Sequence, residues 1–112
     1  MIETIILEYL KTRTSIPVRF ERSPNMESSV IIVEKTGGGG RPESLHSATL
    51  AIQSYGASLA AAMNLNELVK GYMFDAEALP EICEVSLNSD YNFTDTASKR
   101  YRYQAVFVIT HY

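Results

Sequence analysis

The residues that first invite a chemical reading are Thr36-Gly37-Gly38-Gly39-Gly40-Arg41-Pro42. A glycine-rich loop can cradle phosphates, but it does so where it ends in Gly-Lys-Ser/Thr and opens a helix. Here the run ends in Arg-Pro and leads into an alternating apolar stretch. The missing lysine and hydroxyl argue against a nucleotide site. Four consecutive glycines exceed what a tight turn needs, and ordering them costs entropy that only contacts can offset. Thr36, Gly37, Gly38, Gly39, Gly40 and Arg41 therefore read as a hairpin loop that orders against a partner.

The second candidate is Lys99-Arg100-Tyr101-Arg102-Tyr103. Interleaved cations and aromatics can hold single-stranded nucleic acid, with bases on the rings and phosphates on the cations. On a strand, however, Arg100 and Arg102 point to one face and Tyr101 and Tyr103 to the other. Neither face carries both groups, so specific nucleic-acid binding is not expected. The arginines suit bidentate pairing with carboxylates of a neighbouring copy, and Glu81 and Glu84 are the partners considered.

Catalytic and metal chemistry find little support. His46 and His111 stand at no metal-ligand spacing to each other or to the single cysteine. Cys83 falls beside Val85 and Leu87 in an alternating stretch and reads as a small core residue. Glu77, Glu81 and Glu84 read as solvated charges. No nucleophile, base and oxyanion donor come together, so the expectation is a non-enzyme with no cofactor and no metal.

The elements that must position these residues are legible from periodicity. Ile2, Ile5, Ile6, Tyr9 and Leu10 form one helical stripe, with Glu3 early and Lys11 and Arg13 late, as the helix dipole favours. Pro17 ends that helix. Val18 to Glu21 alternates as a short strand, and Val30 to Val33, within a strand over 29–35, is a β-branched run suited to burial on both faces. After the glycines, 46–54 alternates as a strand. Ser58 is an N-cap for a helix to about Phe74, with Leu65, Leu68, Val69, Tyr72 and Met73 inward and Ala60 to Ala62 closely packed. Residues 82–88 alternate, 89–98 form a polar loop, and 99–111 is a long final strand. The order α-β-β-β-α-β-β predicts one α+β domain over 1–112, a mainly antiparallel sheet with two helices packed on one face. The other face, with Val106 and Val108 and part of Val30 to Val33, is then apolar and uncovered, which marks a contact between copies.

Composition agrees with a folded domain. The chain has 112 residues, 46% hydrophobic and 21% charged, with a net charge of −3. A chain of this size buries roughly 65% of its unfolded surface, and its acidic balance argues against broad binding to nucleic acid or anionic membrane. One cysteine gives no internal disulfide, and no apolar run reaches the roughly 18–20 residues of a membrane span. A soluble intracellular protein is expected.

Taken together, the opening amphipathic helix, the segment VIIVEKTGGGGRPES, the strand SATLAIQSYG before an alanine-rich helix, and the ending RYRYQAVFVIT resemble tail terminator (tail completion, minor tail) proteins of long-tailed bacteriophages and prophages. The likeness spans essentially the whole chain and lies in order and length, not in a catalytic motif. The extra glycines and the aromatic-rich stretch 91–103 depart from that pattern. The resemblance implies a structural protein that forms a homo-oligomeric ring, commonly a hexamer, on the head-proximal end of the tail tube. Such a ring halts tube polymerisation and offers a surface for head joining. Its partners would be the major tail tube protein and a head-completion or connector protein. Nucleic acid would only pass through the ring. The protein would occupy the host cytoplasm during assembly and then the head–tail junction of the virion. The competing readings are a head-completion or connector protein and, from a different class, a small-ligand-binding regulatory α+β domain.

Overall fold

A computed structural model describes residues 1–23, 25, 27–41 and 44–112. The elements in order are α1 (Ile2–Arg13), β1 (Val18–Arg19), β2 (Val30–Gly39), β3 (His46–Gly56), α2 (Leu59–Asp75), a 3₁₀ turn (Ala76–Ala78), β4 (Ile82–Asn92) and β5 (Tyr101–His111). One five-stranded sheet has the order β1-β2-β3-β5-β4. β1 runs parallel to β2, and every other neighbouring pair is antiparallel. This is the expected α+β architecture with both helices on one face.

The core lies between that face and the helices. Ile31 and Val33 of β2, Leu50 and Ile52 of β3, Phe107 and Ile109 of β5 and Val85 of β4 meet Ile6 and Leu10 of α1 and Val69 and Met73 of α2. Val30 to Val33 are all buried, which their β-branched run anticipated. Ser58 caps α2 as expected, its Oγ accepting from the Ala61 N–H at 3.1 Å. The close approach of the alanine turn is made at Gly56. A Cβ there would lie 2.5 Å from the Ala62 nitrogen and 2.8 Å from the Ala61 carbonyl carbon. Gly56 is therefore required by contact between β3 and α2.

Several expectations are corrected. The strand over 29–35 continues to Gly39, so Thr36, Gly37, Gly38 and Gly39 belong to β2 and not to a loop. Gly37, Gly38 and Gly39 pair with Thr49, Ala48 and Ser47, after a bulge at Thr36. A bulge absorbs the extra residue and lets a side-chain-poor segment stay in register. Of the four glycines only Gly40 has a positive φ, +131°, and a Cβ there would lie 2.6 Å from His46 Nδ1. Arg41 follows Gly40, and Pro42 lies outside the described residues. Of 18–21, only Val18–Arg19 is strand. β4 likewise runs on to Asn92, into the expected loop, and β5 begins at Tyr101.

Cys83 is exposed, not a core residue. A register shift between Ile82 and Glu84 breaks the simple alternation, so the buried residues of that stretch are Ile82 and Val85. Leu68, placed inward by sequence, is 54% exposed. Asn66 takes a buried position on α2 instead, beside Leu65 and Val69.

Candidate assembly surface

The face of the sheet away from the helices is less apolar than periodicity suggests. Val30, Ile32 and Tyr55 form a small buried cluster at the end near Gly56. Beside it a chain of side-chain hydrogen bonds crosses all four long strands. Glu34 of β2 accepts from Gln53 Nε2 at 3.4 Å, and the same nitrogen donates to Gln104 Oε1 at 2.9 Å. Gln104 Nε2 in turn donates to the Tyr91 hydroxyl on β4. Gln53 and Gln104 are both buried, and buried amides are tolerated because they satisfy one another.

Arg102 completes this face. Its Nε donates to the Phe93 carbonyl at 2.6 Å and its Nη1 to the Tyr55 hydroxyl at 2.7 Å. The guanidinium also lies 4.2 Å from the Phe93 ring centroid. Arg22 approaches the Tyr55 ring at 5.4 Å. Arg19 and Glu27 form a two-point ion pair, with Nη2 to Oε1 at 2.7 Å. That pairing holds the Glu27 carboxyl down to about 2, chiefly through the hydrogen bonds from Arg19. Arg22, shortly after β1, thus lies over the Tyr55 end.

The proposed interface residues separate accordingly. Val106 and Val108 are half-buried on this face; Val106 stands between Ala51 and Ser89, and Val108 between Thr49 and Ser86. Arg102 is already engaged by its own chain, whereas Arg100 pairs with Asp95 only through the backbone at the hairpin end. Glu81 and Glu84 lie at the other end of the sheet: Glu84 pairs with Thr110, and Arg102 with Tyr55. Eight residues of β5 separate Thr110 from Arg102, about 27 Å at strand rise. Any arginine–glutamate pairing of these groups would have to join different copies. Glu77 is more than a solvated charge, because its Oε1 accepts from the Val85 N–H at 2.8 Å.

On the helix side, Lys70 of α2 reaches Asp90 of β4 at 2.6 Å and Glu67 at 2.7 Å. Both hydrogen bonds raise the lysine's pKa, Asp90 contributing most. Asn66 Nδ2 also donates to Asp90 at 2.7 Å. The alternation of β4 could not announce these contacts, since a second bulge between Leu87 and Ser89 turns Asp90 toward α2.

Three concavities accompany these surfaces. A groove of about 440 Å³ runs between α1 and the connection at Leu79, lined by Ile5 and Tyr9 among others. A pocket of about 230 Å³ is formed by Lys99, Arg100 and Tyr101 against Gly56 and Ala57. A groove of about 380 Å³ follows β2 between Phe20, Met1 and Lys35. His46 and His111, distant in sequence, are cross-strand partners with rings stacked 5.5 Å apart. Among the described residues no group of three His, Cys, Asp or Glu is placed to hold a metal. No helix there is long and apolar enough to cross a membrane.

No protein-family model matches the chain, and no curated protein sequence matches it.

Proposed function

We propose that this chain is a ring-forming virion assembly protein of the tail-terminator kind, which closes the head-proximal end of a phage tail tube. In that role it stops tube polymerisation and presents a surface for head joining. Its partners are further copies of itself, the tail tube protein and a head-completion protein, and it needs no cofactor. The reading begins from the sequence resemblance.

The observation that carries it is the asymmetry of the sheet's two edges. A closed ring needs head-to-tail contacts, so each subunit must present two different patches. β1 covers β2 only at Ile31 and Ile32, leaving its later half without a neighbouring strand among the described residues. β4 is the terminal strand on the other side. Two dissimilar strand edges on one sheet meet the geometric need. Electron microscopy of tails assembled without the protein tests the reading. Overlong tubes are expected; tubes of regular length joined to heads would overturn it.

A further inference from the structure

We infer that copies of this chain join edge to edge, the later half of β4 in one copy adding as an antiparallel strand to the later half of β2 in the next. The inference rests on the assembly reading for ring closure, and on the strands themselves for the pairing. β2, β3, β5 and β4 alternate in direction across the sheet. A second copy laid head-to-tail beside β4 therefore brings its β2 in antiparallel. Unpaired strand edges template such additions unless something covers them.

Each edge is covered over half its length, at opposite ends. On β2, the Ile31 N–H donates to the Pro17 carbonyl at 2.9 Å, so Ile31 faces outward and, by alternation, so do Val33 and Lys35. On β4, the outward N–H of Val85 is taken by Glu77. The Phe93 N–H donates inward to Arg102 at 2.9 Å, which makes Asp90 and Asn92 outward residues. Among the described residues, free edge thus remains at Val33–Gly39 and Leu87–Asn92.

One register uses both halves. Setting Lys35 against Asp90 places Val33 against Asn92 and Gly38 against Leu87. The bulge of β2 at Thr36 and the bulge of β4 at Asn88 then fall on either side of a Gly37–Ser89 pair, so the two extra residues compensate and the strands stay in register. Lys35 then faces Asp90, whose carboxylate is already held by Lys70 and Asn66 of its own chain, so the register rests on the strand edges and not on this charge pair. Leu87, 37% exposed, lies over a glycine and beside the groove that holds Phe20 and Met1. A slip toward the β4 start meets the N–H that Glu77 occupies and sets Val33 against Asp90. A slip the other way runs off the strand. The paired segments make about six backbone hydrogen bonds. Because the free halves are staggered, neighbouring copies are offset along the strands, and strand stagger is what a closed, tilted ring of strands requires.

The test is a disulfide across the new pairing. Gly37 and Ser89 face each other there at a non-hydrogen-bonded position, where α-carbons approach to about 4.5 Å. Within one copy they are three strand spacings apart, about 14 Å, beyond disulfide reach. A Gly37→Cys/Ser89→Cys protein, with Cys83→Ser to remove background, is expected to give dimers and higher multimers on a non-reducing gel after mild oxidation. Gly37→Cys/Glu84→Cys, at the covered end of β4, should give none. Absence of crosslinks in the first protein, whether it is monomeric or multimeric, overturns the pairing. So does a dimer from Ser89→Cys/Cys83→Ser alone, which would mean β4 pairs with itself. If the ladder forms but tails lacking the protein have regular length, the pairing stands and the terminator reading falls. Overlong tails without crosslinks give the converse.

Discussion

Arg102 donates a 2.7 Å hydrogen bond to the hydroxyl of Tyr55 while its guanidinium carbon lies 5.7 Å from the centre of the same ring. Tyr55 is 1% exposed, so its hydroxyl depends on the chain for partners. Arg102→Ala removes that bond, the bond to the Phe93 carbonyl and the cation over two rings. A loss of about 2–3 kcal/mol in unfolding free energy is expected, measured by urea denaturation. Arg102→Lys should recover little of it, because an ammonium cannot reach both acceptors from one plane. A loss below about 0.5 kcal/mol for Arg102→Ala would leave the residue free for a role between copies.

Gly56 marks where β3 and α2 touch. The methyl of Gly56→Ala would have to displace backbone atoms of Ala62 and Ala61, at 2.5 and 2.8 Å, and not a flexible side-chain end. Destabilisation of about 2–4 kcal/mol is expected, with the thermal midpoint as the measurement. Gly71, with open space around it, provides the contrast: Gly71→Ala on the exposed side of α2 should stabilise by roughly 0.5–1 kcal/mol.

Period and punctuation carried most of the architecture. The two helices, Ser58 as a cap, the doubly buried Val30 to Val33 and the order of the strands were all legible, because each is set by local spacing. What was not legible arose where a bulge breaks the period. At Thr36 a bulge keeps the glycines in strand, and near Cys83 and Asn88 register shifts move the buried positions of β4. The ladder from Glu34 to Tyr91 was equally hidden, since it joins side chains from four strands whose register no single segment specifies. Sequence rightly placed Arg102 on a strand, whereas Arg100 stands just before β5, in an isolated bridge to Asp95. Sequence could not show that Arg102 is held by Tyr55 and Phe93 of its own chain.

The Arg19–Glu27 pair makes a pH prediction. Glu27 is held at about 2 in the folded protein, below the ordinary glutamate value near 4.5. A depressed carboxyl contributes stability that is present above its unfolded pKa and lost as pH falls through the folded one, here between about 4.5 and 2. Both partners are exposed, so the effect on global stability is small after screening. The site-specific readout is the carboxyl carbon shift in an NMR titration. Its midpoint should lie near 2 in the native protein and rise toward the ordinary 4.5 in Arg19→Ala. An unshifted midpoint in the native protein would mean the pair does not form in solution.

The glycine run supplies the prediction that separates strand from loop. Gly39 pairs with Ser47, has open space where a Cβ would stand, and lacks the positive φ of Gly40. A β-branched residue there removes unfolded-state freedom and suits the ladder. Gly39→Thr should therefore raise stability by roughly 0.5–1 kcal/mol. Gly40→Thr should lower it by about 1–3 kcal/mol, because a side chain at φ +131° meets His46. Paired thermal melts decide between the two assignments. If both substitutions were neutral, the four glycines would be behaving as one flexible loop and β2 would end near Lys35. If Gly39→Thr stabilises the fold, Gly39 is a strand residue whose missing side chain folding does not require, unlike Gly38, where a Cβ would lie 3.3 Å from the Ser47 carbonyl oxygen.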